Sequence, residues 1–132
     1  MSMDFSQYEE NFSGDVVFEI TGARKFTTGT GSEGMEISLK GIAPAAGYDM
    51  DKYDDPVGLE IKDTFWLPSN SDDKAKAQRK GGKVFRFLVA CGFSEGSVDS
   101  LEDLKGCEVI GTVMKGDDGA AINFNRYKAI VN

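Results

Sequence analysis

Residues 57–92 read VGLEIKDTFWLPSNSDDKAKAQRKGGKVFRFLVACG, and the hydrophobic period changes inside this stretch. From Val57 to Leu67 apolar and polar residues alternate: Val57, Leu59, Ile61, Phe65 and Leu67 fall on one face, and Glu60, Lys62, Thr64 and Trp66 on the other. A period of two belongs to a half-buried strand. Further on, Val84, Phe87, Leu88 and Cys91 recur at i, i+3, i+4 and i+7, the spacing of one helix face. Asp72 and Asp73 are N-cap candidates whose charge complements the helix dipole. Gly92 is a C-terminal stop, and Gly81-Gly82 predicts a kink or two short helices. The stretch therefore reads as a strand followed by the main helix of the chain.

Working outward, Val16, Phe18 and Ile20 alternate towards a core, and Met35-Glu36-Ile37-Ser38-Leu39-Lys40 alternates strictly. A Gly/Thr/Ser-rich loop from Thr27 to Gly34 separates these two strands, and residues 43–56 form a longer acidic loop. Downstream, Ser100 to Gly106 reads as one helical turn. Two last strands, Glu108–Met114 and Ala121–Val131, flank the hairpin signal Gly116-Asp117-Asp118-Gly119. The order is β-β-β-α-β-β. Five strands with one helix between the third and fourth match a mostly β, five-stranded Greek-key barrel, the OB-fold. The 132 residues suit a single such domain over residues 14–132, preceded by a flexible acidic tail over residues 1–13.

Charge is segregated. The net −7 is carried by two stretches: residues 1–15, with four acids and no base, and residues 43–56, with Asp49, Asp51, Asp54 and Asp55 against Lys52. Residues 74–86 hold Lys74, Lys76, Arg79, Lys80, Lys83 and Arg86 with no acid, a candidate track for phosphates or simply a solvated helix face. Cys91 and Cys107 stand alone and read as reduced, buried thiols, and two cysteines without any histidine are too few ligands for structural zinc. No apolar run approaches the roughly 20 residues of a bilayer span. The acidic N-terminus lacks the regions of a secretory signal, so the expected location is the cytoplasm, away from membranes.

Catalytic motifs find little support. Without histidine most general-base mechanisms near neutral pH are lost. Gly29-Thr30-Gly31-Ser32-Glu33-Gly34 spells the dinucleotide fingerprint, but a strand pattern follows it where the fingerprint requires a helix. A hairpin loop is the better reading. The acidic loop lacks the glycine and terminal acid of a calcium loop and reads as solvated. No cofactor and no metal are expected. Trp66 is more informative. With Phe65 and Leu67 facing the core it points outward beside Lys62 and Thr64, unless it packs under the helix or the long loop. An exposed indole beside a cation suits base stacking with phosphate contact. Tyr48 and Tyr53 in the long loop, Tyr127 in the last strand and the cluster Arg24-Lys25-Phe26 add aromatics and charge, and Lys40 adds a further cation.

The blocks FTTGTGSEGMEISLKGI, DTFWLP, NSDDKAKAQRKGGKVFRFLVACGF and LEDLKGCEVIGTVMKGDDG, followed by INFNRYKAIVN, resemble the small single-stranded DNA-binding and recombination-associated proteins encoded by bacteriophages, over roughly residues 14–132. The resemblance implies an OB-fold that coats single strands in replication or recombination without reading sequence, in the host cytoplasm, with replication or recombination proteins as further partners. Oligomerisation stays open. Such proteins commonly end in an acidic tail, whereas this sequence ends RYKAIVN, which leaves the acidic N-terminal stretch as the candidate for that role. On geometric grounds the expected contacts are Arg24, Lys25, Phe26, Lys40, Lys62, Trp66, Tyr48, Tyr53 and Tyr127. Two other readings stand beside it: an OB-like protein-interaction module of the same complexes that does not itself bind DNA, and an acidic DNA mimic, which clustering of the acids in two stretches disfavours.

Overall fold

The structure, a computed structural model, describes Met3 and residues 12–51, 55–116 and 119–130, with the backbone alone for residues 12, 13, 114–116 and 119–126. The elements are β1 (Phe12–Thr27), β2 (Glu33–Pro44), β3 (Glu60–Trp66), α1 (Lys74–Ala90), one 3₁₀ turn (Leu101–Leu104), β4 (Glu108–Gly116) and β5 (Gly119–Lys128). The strands form one antiparallel sheet in the order β3-β2-β1-β4-β5. β1 begins inside the expected 1–13 tail; the rest of that tail, Met3 apart, lies outside the described residues.

β1 is the shared strand. Val16 to Thr27 pairs with β2, and Phe12 to Glu19 pairs with β4. Irregularities at Val17/Phe18 and Ile20/Gly22 bend it, because an extra residue on one strand kinks the ladder and raises the local twist. At the second, Thr21 is the unpaired residue and its hydroxyl donates to the Ser38 carbonyl at 3.3 Å. The sheet therefore curls into a half-barrel and brings its two edge strands together. Tyr127 Oη on β5 donates to Asp63 Oδ2 on β3 at 2.5 Å, and the Phe65 and Tyr127 ring centroids lie 6.0 Å apart. Among the described residues no ladder joins β3 to β5. Asp15, counted above with the acidic tail, belongs to the barrel wall: it accepts from the buried Thr112 hydroxyl at 2.6 Å and pairs with Lys128 at 2.9 Å.

The inward residues of each strand meet in one core. Val16, Phe18, Ile20, Ile37, Leu104 and Val109 are all completely buried, as the alternation requires. β3 is shorter than the alternation over residues 57–67 predicts. Val57 is exposed and Gly58 takes φ +90, so the chain turns there before pairing starts at Glu60. The turn crowds Gly41, where any Cβ would run into the Pro56 carbonyl.

α1 runs unbroken through Gly81-Gly82, which corrects the expected kink. Two interior glycines cost a helix about 1 kcal/mol each relative to alanine. Against that, Asp73 is the N-cap and accepts from Lys76 N at 2.7 Å, which contributes about 1 kcal/mol. Phe93 N–H to Leu88 O and Gly92 N–H to Val89 O close the other end in a Schellman motif. Burying Phe87 and Leu88 adds about 1.5–3 kcal/mol each, so tertiary packing wins over propensity. Phe87 plugs the open side of the half-barrel, its ring 4.7 Å from Phe65 and 4.8 Å from Tyr127. No helix among the described residues is long and apolar enough to cross a membrane.

A Cβ on Gly81 would meet only the Pro68 ring, at an ordinary 3.5 Å. Gly81→Ala is therefore expected to stabilise the protein by about 0.5–1 kcal/mol, seen as a rise of about 2–5 °C in thermal melting. A lowered melting temperature would mean that the helix is not regular at this point.

Candidate nucleic-acid interface

The outer face of β1, β2 and β3 is read from the register. Phe26 lies opposite Gly34, and Gly34 opposite Trp66. Because Gly34 has no side chain, the Phe26 ring lies over it: a Cβ there would stand 2.5 Å from Phe26 Cζ. Phe26 thereby reaches across β2 and meets Trp66 edge-to-face, with centroids 5.6 Å apart and planes at 70°. Trp66 stays 45% exposed and so points outward as its alternation predicts. The Arg24 guanidinium lies 5.6 Å from the Phe26 centroid, on its far side in sequence from the hairpin. That hairpin is tighter than the Thr27-to-Gly34 loop expected: residues 28–32 close on themselves through Thr28 N–H to Ser32 O and Ser32 N–H to Thr28 Oγ1. Gly34, last of the fingerprint glycines, sits inside β2.

The cations on this face have acidic company. Arg24 pairs with Glu36 at 3.1 Å on this face, whereas Lys25, opposite the buried Met35, takes the other side of β1 and pairs there with Glu33 at 3.2 Å. Lys40 is flanked by Glu19 and Glu60 on the neighbouring strands, whereas Lys62 stands opposite Ser38. Exposed ion pairs contribute only about 0–1 kcal/mol, so an incoming phosphate can displace them at small cost.

Beside β3 runs a groove of about 830 Å³ between that strand and α1. Trp66 belongs to it as well as to the outer face. Its α1 wall carries Lys76, Arg79, Lys80, Lys83 and Arg86, and its floor is Phe65, Phe87, Tyr127 and Asp63. The helical spacing of the bases was legible in the sequence, but which way that face turns was not. Asp72 moderates the charge at one end. It accepts from Lys80 at 2.9 Å and from Ser69 N, and the Ser69 hydrogen bond, then Lys80, holds its carboxyl below the usual range.

Asp63 is the site residue that the sequence reading passed over. It occupies an inward position between Ile61 and Phe65, where an apolar residue would continue the pattern. That break in alternation was the available signal. Burial pushes its carboxyl up, against the Tyr127 and Thr64 hydrogen bonds and the Lys83 charge, which pull it down. Burial, then the charge on Asp63, raises the Tyr127 hydroxyl, which stays a protonated donor. Burial lowers the Lys83 ammonium, opposed by Asp63.

The remaining expected aromatics fall elsewhere. Tyr48 is half-buried against the core, and a Cβ on Gly14 would lie 3.2 Å from its ring. Tyr127 packs against both Phe65 and Phe87 at the groove floor and is not an open stacking platform. Tyr53 lies outside the described residues. In the acidic loop Asp49 and Asp55 accept from the backbone N–H of Asp51 and Val57, as turn-capping carboxylates do. No family model matches the chain, and no curated protein matches it.

Both thiols are half-buried and free, and burial pushes Cys91 up to about 12. A thiolate is the reactive form. With its folded value above the ordinary one, Cys91 keeps its proton at neutral pH and costs stability only as pH rises from the ordinary thiol range towards about 12. Cys91 is therefore expected to resist a thiol-specific disulfide reagent at neutral pH and to react promptly once denaturant is added. Rapid labelling of Cys91 in the native protein, mapped by peptide mass, would contradict this environment.

Proposed function

We propose that this protein is an OB-fold single-stranded DNA-binding protein of phage-type replication or recombination, acting by binding alone and without sequence reading. Its strand order, its curled sheet and a helix between β3 and β4 in the chain fit a Greek-key barrel of this type. The observation that carries the reading is the position of Trp66, an exposed indole shared by the Phe26 platform and the basic groove. A base stacked on Trp66 has Lys62 and Arg24 on one side and the α1 bases on the other, so phosphates on both flanks meet cations. The net −7 does not oppose this, because the two stretches that sum to it, residues 1–15 and 43–56, lie outside that path in sequence and the α1 face is basic. Replication or recombination proteins are the natural further partners, in the cytoplasm of a host cell.

The ion pair Arg24–Glu36, and Lys40 set between Glu19 and Glu60, favour a second reading, an OB-like interaction module that meets another protein through this face. Variants separate the two. Trp66→Ala is expected to weaken binding of single-stranded oligonucleotides of any sequence between about fivefold and a hundredfold, the loss of one stacked base. Arg79→Ala and Arg86→Ala are each expected to lower the slope of log affinity against log salt by about 0.7, one phosphate contact apiece. Measured by fluorescence anisotropy, wild-type affinity in all three variants would remove this site, and no binding by the wild-type chain would leave the interaction module in its place.

A further inference from the structure

The floor of the groove carries an acid where a phosphate-binding groove would be expected to carry none. Asp63 faces into it from below, while Arg79 and Arg86 line it on the α1 side and Trp66 stands at the β3 side. A phosphate lowered to the floor would meet the Asp63 carboxylate, so the backbone of a bound strand is held at the α1 rim and the base is what descends. The floor suits a base: Phe65, Phe87 and the Tyr127 ring supply apolar surface, and about 830 Å³ leaves room for a nucleotide beside the indole.

We propose that Asp63 adds one base preference to otherwise sequence-independent binding, accepting a hydrogen bond from an exocyclic amine of the base that enters this groove and so favouring cytosine over thymine. This rests on the single-stranded DNA-binding reading. Cytosine presents an amine at C4, which a carboxylate accepts, whereas thymine presents a carbonyl at the same position, which a carboxylate repels. The two pyrimidines stack alike, so the contrast isolates the C4 group. A carboxylate offers about four acceptor positions, and Tyr127 Oη and Thr64 N–H draw on two of them. The Tyr127 hydrogen bond helps fix the carboxylate in place, because the Tyr127 ring itself packs against both Phe87 and Phe65. Asp63 is thus presented on a rigid support, as a recognition group must be. Burial raises the Asp63 carboxyl while Tyr127, Thr64 and Lys83 pull it back down, and mildly alkaline pH keeps it in its ionised, acceptor-only form.

The experiment compares affinities of oligo-dC and oligo-dT of equal length at mildly alkaline pH, for the wild-type chain, Asp63→Asn and Tyr127→Phe. The expected wild-type preference for oligo-dC is about fivefold or more, the discrimination of one base-edge contact. Asp63→Asn is expected to bring the ratio to about one while oligo-dT affinity holds or improves, because the amide can donate to the thymine carbonyl. Tyr127→Phe keeps the carboxylate but removes the bond that orients it, and is expected to reduce the preference less than Asp63→Asn does. A wild-type ratio near one overturns the proposal and leaves DNA binding standing. So does a ratio unchanged in Asp63→Asn, which would assign the preference to the shape of the floor. Failure of both oligonucleotides to bind the wild-type chain overturns this proposal together with the reading it rests on.

Discussion

β1 is hydrogen-bonded to β2 along one edge and to β4 along the other, and its irregularities turn what would be an open sheet into a half-barrel. The other features follow from that bend. It carries β3 and β5 towards each other without joining them in a ladder, which leaves a gap that side chains must close. Phe87 of α1 fills the gap from one side, and the Tyr127–Asp63 hydrogen bond spans it. An edge strand left unpaired is a liability in a sheet, and covering it with a helix is one of the standard remedies. In this protein the cover is incomplete, and the uncovered part is the basic groove.

The same arrangement reconciles an acidic chain with an anionic ligand. The helix that plugs the barrel has an apolar side, Phe87 and Leu88, and a basic side that lies along β3. Trp66 ends β3 where the outer face of the sheet meets the groove, so its indole belongs to both surfaces. Phe26 supports it across a glycine, a pairing that neither residue could make if position 34 carried a side chain. Local geometry at three positions therefore builds the platform, and net charge has little say in it. Charges beyond about 10 Å are largely screened at moderate salt, so the charges that line the groove weigh more on a strand bound there than the net −7 of the whole chain.

The core was legible because its residues obey simple periods. Val16, Phe18 and Ile20, then Met35, Ile37 and Leu39, alternate and are all buried, and Asp73 and Gly92 bound the helix as capping rules require. The full length of β1 was not legible, since the bulge at Thr21 breaks the alternation and hides the strand beyond Ile20. Gly81-Gly82 misled for the opposite reason, being a local signal that burial of Phe87 and Leu88 overrides. The outward direction of Trp66 could be read from its neighbour Phe65. The roles of Tyr127 and Asp63 could not, because they arise from contact between strands that stand 64 residues apart. Tyr48 likewise belongs to a loop by sequence and to the core edge by packing against Gly14.

The central claim is that a single strand stacks on Trp66 with its phosphates against cations on both sides. Titrating the intrinsic fluorescence of this sole tryptophan with oligo-dT, at a series of salt concentrations, tests it most directly. The account predicts strong quenching whose midpoint moves to higher oligonucleotide concentration as salt rises. An emission spectrum unchanged at the lowest salt would contradict it.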